Sequence, residues 1–190
     1  MKFLKIIIVI FSFIIFNGQI VLPTFQGVNA TQNISSGTPE NPFQSSGLSP
    51  QHINIAWNYM FGFNFTPQVN GTITQLGGYY NGTKTVYLWR WSDGFYLGSV
   101  SNSSNNNWTY TDLESSISVT SGTQYFVAVA VNGSGGCRFN TSLPKTYGNI
   151  VINRSYYKSG TFNSTTMPTS WSGNHQGYIW GSADITFIPD

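Results

Sequence analysis

Residues 79–100 read YYNGTKTVYLWRWSDGFYLGSV. Asn81-Gly82 and Asp93-Gly94 are dipeptides that supply the positive φ angles of primed hairpin turns. Between them, residues 85–91 form a β-branched and aromatic run without helical period. A strand held between two tight turns belongs in the middle of an antiparallel sheet. Val86 and Leu88 share one face of that strand, and Tyr87, Trp89 and Trp91 share the other.

The flanking sequence continues the pattern. Over residues 57–66, Phe61, Phe63 and Phe65 alternate with Gly62, Asn64 and Thr66, so three phenylalanines point inward while Asn64 points outward. Asn70-Gly71 and Ser121-Gly122 mark further turns, and residues 102–107 read as a polar loop. Residues 125–131 are nearly all apolar, as in a strand buried on both faces. Residues 132–136 read as a loop, 149–153 as a short strand and 159–174 as irregular. In residues 176–188, Ile179, Ala183, Ile185 and Phe187 face one way while Tyr178, Trp180, Asp184 and Thr186 face the other. Some eight strands at turn-bounded spacing, with no helix after the leader, predict an all-β antiparallel β-sandwich of jelly-roll type.

Three segments are expected. Lys2 and Lys5 precede an apolar run over residues 6–16, and Val28-Asn29-Ala30 offers small residues for cleavage, so residues 1–30 read as a signal peptide, or as a membrane anchor if left uncleaved. Residues 31–50 read as a polar spacer or irregular entry segment, and residues 51–190 as a single β-sandwich domain. After Ala30 the chain has six basic and six acidic residues, so its net charge is zero and it lacks the basic footprint that nucleic acid demands.

So little charge leaves solubility to another group. Asn-X-Ser/Thr sequons occur at Asn29, Asn33, Asn64, Asn70, Asn81, Asn102, Asn107, Asn132, Asn140, Asn153 and Asn163, which is 11 of 19 asparagines. The chain's Ser and Thr content predicts about four by chance. The excess marks all but Asn29, which precedes the cleavage site, as N-glycosylation candidates of a secreted or cell-surface protein, with a chain merely rich in Asn, Ser and Thr as the alternative. Cys137 is the only cysteine, which rules out an intramolecular disulfide and reads best as a small buried hydrophobe.

Gly71-Thr72-Ile73-Thr74, Leu88-Trp89 followed by Ser92-Asp93-Gly94, Trp108, and Val119-Thr120-Ser121-Gly122-Thr123 before Tyr125 come in an order that resembles the domain of unknown function 4082 family. The likeness spans residues 49–189. It implies a jelly-roll module of the kind found in large secreted and cell-surface proteins beside carbohydrate-active or adhesive domains. It also implies a structural role for Trp89 and transfers no catalytic residue. This chain departs from the family's usual setting in being a single module with many more sequons.

Catalytic constellations are scarce. His52 and His175 lie far apart without metal-ligand spacing, and there is neither a nucleophile elbow nor a phosphate loop. Asp112 and Glu114 share a strand face at a separation that glycoside hydrolysis could use, but their Ser/Thr surroundings read as a wet edge. The expectation is a non-enzyme without cofactor or metal. Tyr87 and Trp91 are the candidate ligand contacts, because aromatic planes stack on the C–H faces of sugars; the alternative is that their face packs as core. Trp171 and His175, in the irregular segment, are loop candidates. The expected partner is a carbohydrate or another cell-surface component, with a membrane involved only through an uncleaved leader. The alternative function is a self-associating structural subunit of an extracellular filament or surface layer.

Overall fold

The computed structural model describes residues 37–190, without the side chains of residues 173–175. The expected signal peptide, its cleavage site and the Asn33 sequon lie outside the described residues. One helical turn, α1 (Pro42–Ser45), precedes β1 (His52–Ile55), β2 (Tyr59–Pro67), β3 (Gly71–Arg90), β4 (Tyr96–Val119) and β5 (Tyr125–Ala130). After these come β6 (Gly136–Asn140), β7 (Lys145–Tyr147), β8 (Ile150–Ser159), β9 (Ser172–His175), β10 (Tyr178–Trp180) and β11 (Ala183–Pro189).

The β3–β4 hairpin makes the sandwich. Its first half pairs with β11, Gly71–Gly78 against Ala183–Pro189. Past Asn81, β3 changes neighbour and pairs with β5, Thr85–Arg90 against Tyr125–Ala130. β4 follows β3 through both halves. One hairpin therefore serves two antiparallel leaves: β11-β3-β4, and β4-β3-β5-β2-β8 with β7 and β9 beyond. A separate small sheet, β1-β6-β10, was not anticipated.

The leaves meet at a corner where the sequence reading needs correction. Asn81-Gly82 makes no hairpin turn; β3 runs through it, with Gly82 at φ +87° and a register slip between Tyr80 and Asn81. The positive φ that suggested a turn instead bends a continuous strand. Residues 102–107 are likewise strand, bent opposite at Asn106 (φ +52°). The buried amide of Asn102 is satisfied internally. Asn102 donates to Thr111 Oγ1 (2.9 Å), while its Oδ1 accepts from Thr109 Oγ1 (2.9 Å) and from the Tyr80 hydroxyl.

Between the leaves lie Phe61, Phe63 and Phe65, as their alternation foretold, together with Val86, Leu88, Val127, Val129, Ile185 and Phe187. Each such side chain, fully buried, contributes roughly 1.5–3 kcal/mol. The closing alternation also holds, but Gly181 (φ +64°) splits it into β10 and β11. A Cβ at Gly181 would lie 2.3 Å from that of Phe61, so the bend and the close approach both require glycine there.

Residues 37–50 dock on the sandwich as an entry segment. Gly37 N–H donates to Pro189 O (3.0 Å), and Glu40 exchanges two backbone hydrogen bonds with Phe187 (2.7 and 2.9 Å). Phe43 is buried in the core, edge-on to Phe63 at 4.9 Å. Asp184, fully buried, accepts from the N–H groups of Phe43 and Gln44 (3.2 Å each) and from the Tyr110 hydroxyl (2.8 Å). Phe43, with Leu48 packed on the core and a distant acid, holds down a segment whose composition alone reads as solvated.

Candidate binding site

Tyr87 and Trp89 point away from the inter-leaf core and pack with Met60, Phe126, Ala128 and Ala130, each buried, on the outer face of the larger leaf. Residues 160–171 lie across this face as a strap, bringing Phe162, Met167 and Trp171 onto it. The strap is fixed at several points. Asn132 donates Nδ2–H to Phe162 O (2.7 Å) and accepts Phe162 N–H on Oδ1 (2.9 Å). Trp89 Nε1–H donates to Thr165 O (2.7 Å), and Thr161 Oγ1 bonds Asn58 Oδ1 (3.0 Å). Because the strap covers the face, β5 is buried on both sides, as its unbroken apolar run requires.

This corrects one candidate. Tyr87 is 4% exposed beneath the strap, so it cannot stack on an external ligand; the covering partner of the aromatic face is the chain itself. Trp89 is fully buried beside it.

Trp91 and Trp171, eighty positions apart in sequence, are brought together. Trp91 emerges half-buried at the strap's margin, its ring 5.1 Å from Phe126 and 5.0 Å from Tyr156. Trp171 returns onto Phe126 at 4.6 Å. Its indole N–H is buried without a hydrogen-bond partner among the described residues. Two clefts share Trp91 as a wall. One, of about 490 Å³, runs between Ser92-Asp93-Gly94 and Thr166–Thr169, with Trp171 also lining it. The other, of about 400 Å³, is lined by Tyr156, Arg154, Pro144 and the amides of Asn64, Gln124, Asn153 and Gln176. His175 lies on β9 opposite Ser155; its side chain is outside the described residues.

The turn flanking the first cleft is stiff. Arg90 grips Asp93 through Nε–Oδ1 (3.0 Å) and Nη2–Oδ2 (2.6 Å), and this hydrogen bonding holds the Asp93 carboxyl down to about 2. Asp93 is the one carboxylate lining either cleft, and it is already engaged. Flat aromatic walls and amide edges suit a ligand with apolar faces and a hydroxylated rim.

A third cleft escaped the sequence reading. Trp57, Tyr59, Phe61, Tyr157, Tyr178 and Trp180 line about 260 Å³, and the Arg138 guanidinium lies over the rings of Tyr178 (5.3 Å) and Trp180 (5.5 Å). The available signal was the outward phase of Tyr178 and Trp180 in the closing alternation.

The sequons divide by environment. Asn70, Asn81, Asn107, Asn132, Asn140 and Asn163 are exposed, and Asn153 partly so. Asn64 does face away from Phe63 and Phe65, as expected, yet it is only 4% exposed; Asn102, at 2%, is locked into the corner. A sugar on either would need solvent that the folded chain does not give it, so these two are removed from the glycosylation candidates.

Asp112 and Glu114 are both exposed, and Asp112 accepts from Gln75 Nε2 (2.8 Å), consistent with a wet edge. Cys137 is buried, and burial pushes its thiol up to about 11, away from reactivity. Among the described residues no group of three or more His, Cys, Asp or Glu side chains is placed to hold a metal ion. Compared with known proteins, the chain matches neither a family model nor a curated protein.

Proposed function

We propose that this chain is a secreted or cell-surface, non-catalytic module that binds glycans on the outer face of its larger leaf. The observation that carries this reading is Trp91, half-exposed between two clefts and seated on a rigid aromatic base. Trp171 and Tyr156 extend the aromatic surface beyond Trp91, each lining one of its two clefts. The leader-like N-terminus, the exposed sequons and the low charge support an extracellular setting. The resemblance to the domain of unknown function 4082 family points to the same setting.

Affinity electrophoresis through gels containing single polysaccharides tests the reading. Wild-type chain is expected to be retarded by at least one polymer, and Trp91→Ala to lose that retardation by tenfold or more, about the effect of truncating a central aromatic anchor. The variant should still unfold cooperatively, since Trp91 lies at the edge of its cluster. A folded Trp91→Ala that is retarded like wild type overturns the proposal.

A further inference from the structure

We infer that the amide-lined cleft beside Trp91 is a saccharide subsite in which Asn64 Oδ1 accepts a hydrogen bond from the ligand; the inference rests on the glycan-binding reading above. Asn64 is 96% buried by its 4% exposure, and its Oδ1 has no hydrogen-bond partner among the described residues. Its Nδ2 reaches Gln124 Oε1 only at 3.5 Å. A buried carbonyl without a donor is costly and rare, and Asn64, unlike the strap-covered Tyr87, is a residue of a cleft wall. A donor arriving with a ligand would satisfy it.

The local backbone is shaped for the same end. Register between β2 and β8 slips at this point: Asn64 pairs with Arg154 and Phe65 with Ile152, which leaves Asn153 as an extra residue. In a regular strand Asn153 and Arg154 would point to opposite faces. The bulge lets both line the cleft, beside Asn64. Asn153 is steadied by donating to Thr66 Oγ1 (3.0 Å). The rings of Trp91 and Tyr156, with planes 33° apart, line the same cleft. Aromatic planes and amide groups within one cleft match a pyranose ring, whose faces are apolar and whose rim carries donors. The donor is either a hydroxyl O–H or an acetamido N–H.

Asn64 heads a sequon, so the rival account is that it carries a glycan of its own. Its burial favours the acceptor role.

Isothermal titration of maltohexaose, laminarihexaose, cellohexaose and chitohexaose into wild type, Asn64→Leu, Asn64→Asp and Trp91→Ala tests the inference. All four chains are made without N-glycosylation. Wild type is expected to bind at least one hexaose. Asn64→Leu should bind it about tenfold more weakly, as befits a lost acceptor facing a desolvated donor. Asn64→Asp, which keeps an acceptor in place, should hold most of the affinity. Weakening confined to chitohexaose assigns the donor as N–H; weakening across the hydroxyl-only sugars assigns it as O–H. Asn64→Leu binding like wild type, or Asn64→Asp losing as much as Asn64→Leu, overturns the inference while the loss in Trp91→Ala leaves the broader reading standing. Wild type that binds none of the four, or Trp91→Ala that binds like wild type, overturns both. Should Asn64→Leu fail to fold, peptide mapping of the natively secreted protein decides: an unmodified Asn64 is expected, and a glycan on it overturns the acceptor role.

Discussion

Asp184 is a carboxyl buried completely inside the fold. Burial pushes its carboxyl up to about 7, against an ordinary value of 3.8, despite the hydrogen bonds it accepts from Tyr110, Phe43 and Gln44. The folded chain therefore keeps a proton that the unfolded chain releases between those values. Asp184's contribution to stability is full below about pH 4 and is lost as pH rises through 7, at up to about 1.4 kcal/mol per pH unit. Asp184→Asn stays neutral and keeps an acceptor for the helix N–H groups. Thermal unfolding from pH 4 to 8 should show a flatter profile for this variant than for wild type, and a higher melting temperature at pH 8. Parallel profiles would assign the titration to another group. The sequence placed Asp184 on the face opposite Ile185 and Phe187, and that face is correct. Its burial was illegible, because the covering elements, α1 and Tyr110, lie about 140 and 74 positions away.

At the scale of elements, the strap over residues 160–171 decides which aromatic residues are structure and which are surface. Its clamp is the side chain of Asn132, which both donates to and accepts from the Phe162 backbone. Asn132→Ala should cost about 1 kcal/mol at this exposed position and raise hydrogen–deuterium exchange in peptides covering residues 160–171. Unchanged exchange would mean that the Trp89–Thr165 bond and apolar packing hold the strap unaided. The sequence made the strands legible, since Phe61, Phe63 and Phe65 and the closing Ile179-to-Phe187 series follow from period two, and the β5 run from its unbroken apolar character. It also posed the right question about Tyr87, Trp89 and Trp91, namely what covers them. It could not answer, because an irregular polar segment has no period from which docking can be read. The corner at Asn81-Gly82 failed differently: a left-handed backbone is common to hairpin turns and strand bends, and only the partner strands tell them apart.

For the molecule as a whole, the sheet edges bear on assembly. β7 and β9 present only short edges, of three and four residues, and the outer edge of β11 is met by Gly37 and Glu40. The long β4 pairs only with β3 but bends at Asn106, and the polymer-ready flatness of an edge is lost at such a bend. An exposed sequon at Asn107 stands beside that bend. Size-exclusion chromatography with light scattering on natively secreted protein should therefore give a monomer, carrying mass beyond its polypeptide. Concentration-dependent polymers would favour a filament or surface-layer subunit instead, and a mass equal to the bare chain would remove glycans as its solubiliser.

The ladder joining Gly37 and Glu40 to Pro189 and Phe187 sets both ends of the sandwich side by side. Residues 37 and 189 thus lie at one pole, like the two strands of a looped thread, and a few residues linking them would close the sandwich into a ring. Such a body can be spliced into an exposed loop of another protein with little distortion of its host. Tension applied between its ends would peel that ladder one hydrogen bond at a time, so the segment held by Phe43 would loosen before the Trp91 face is disturbed.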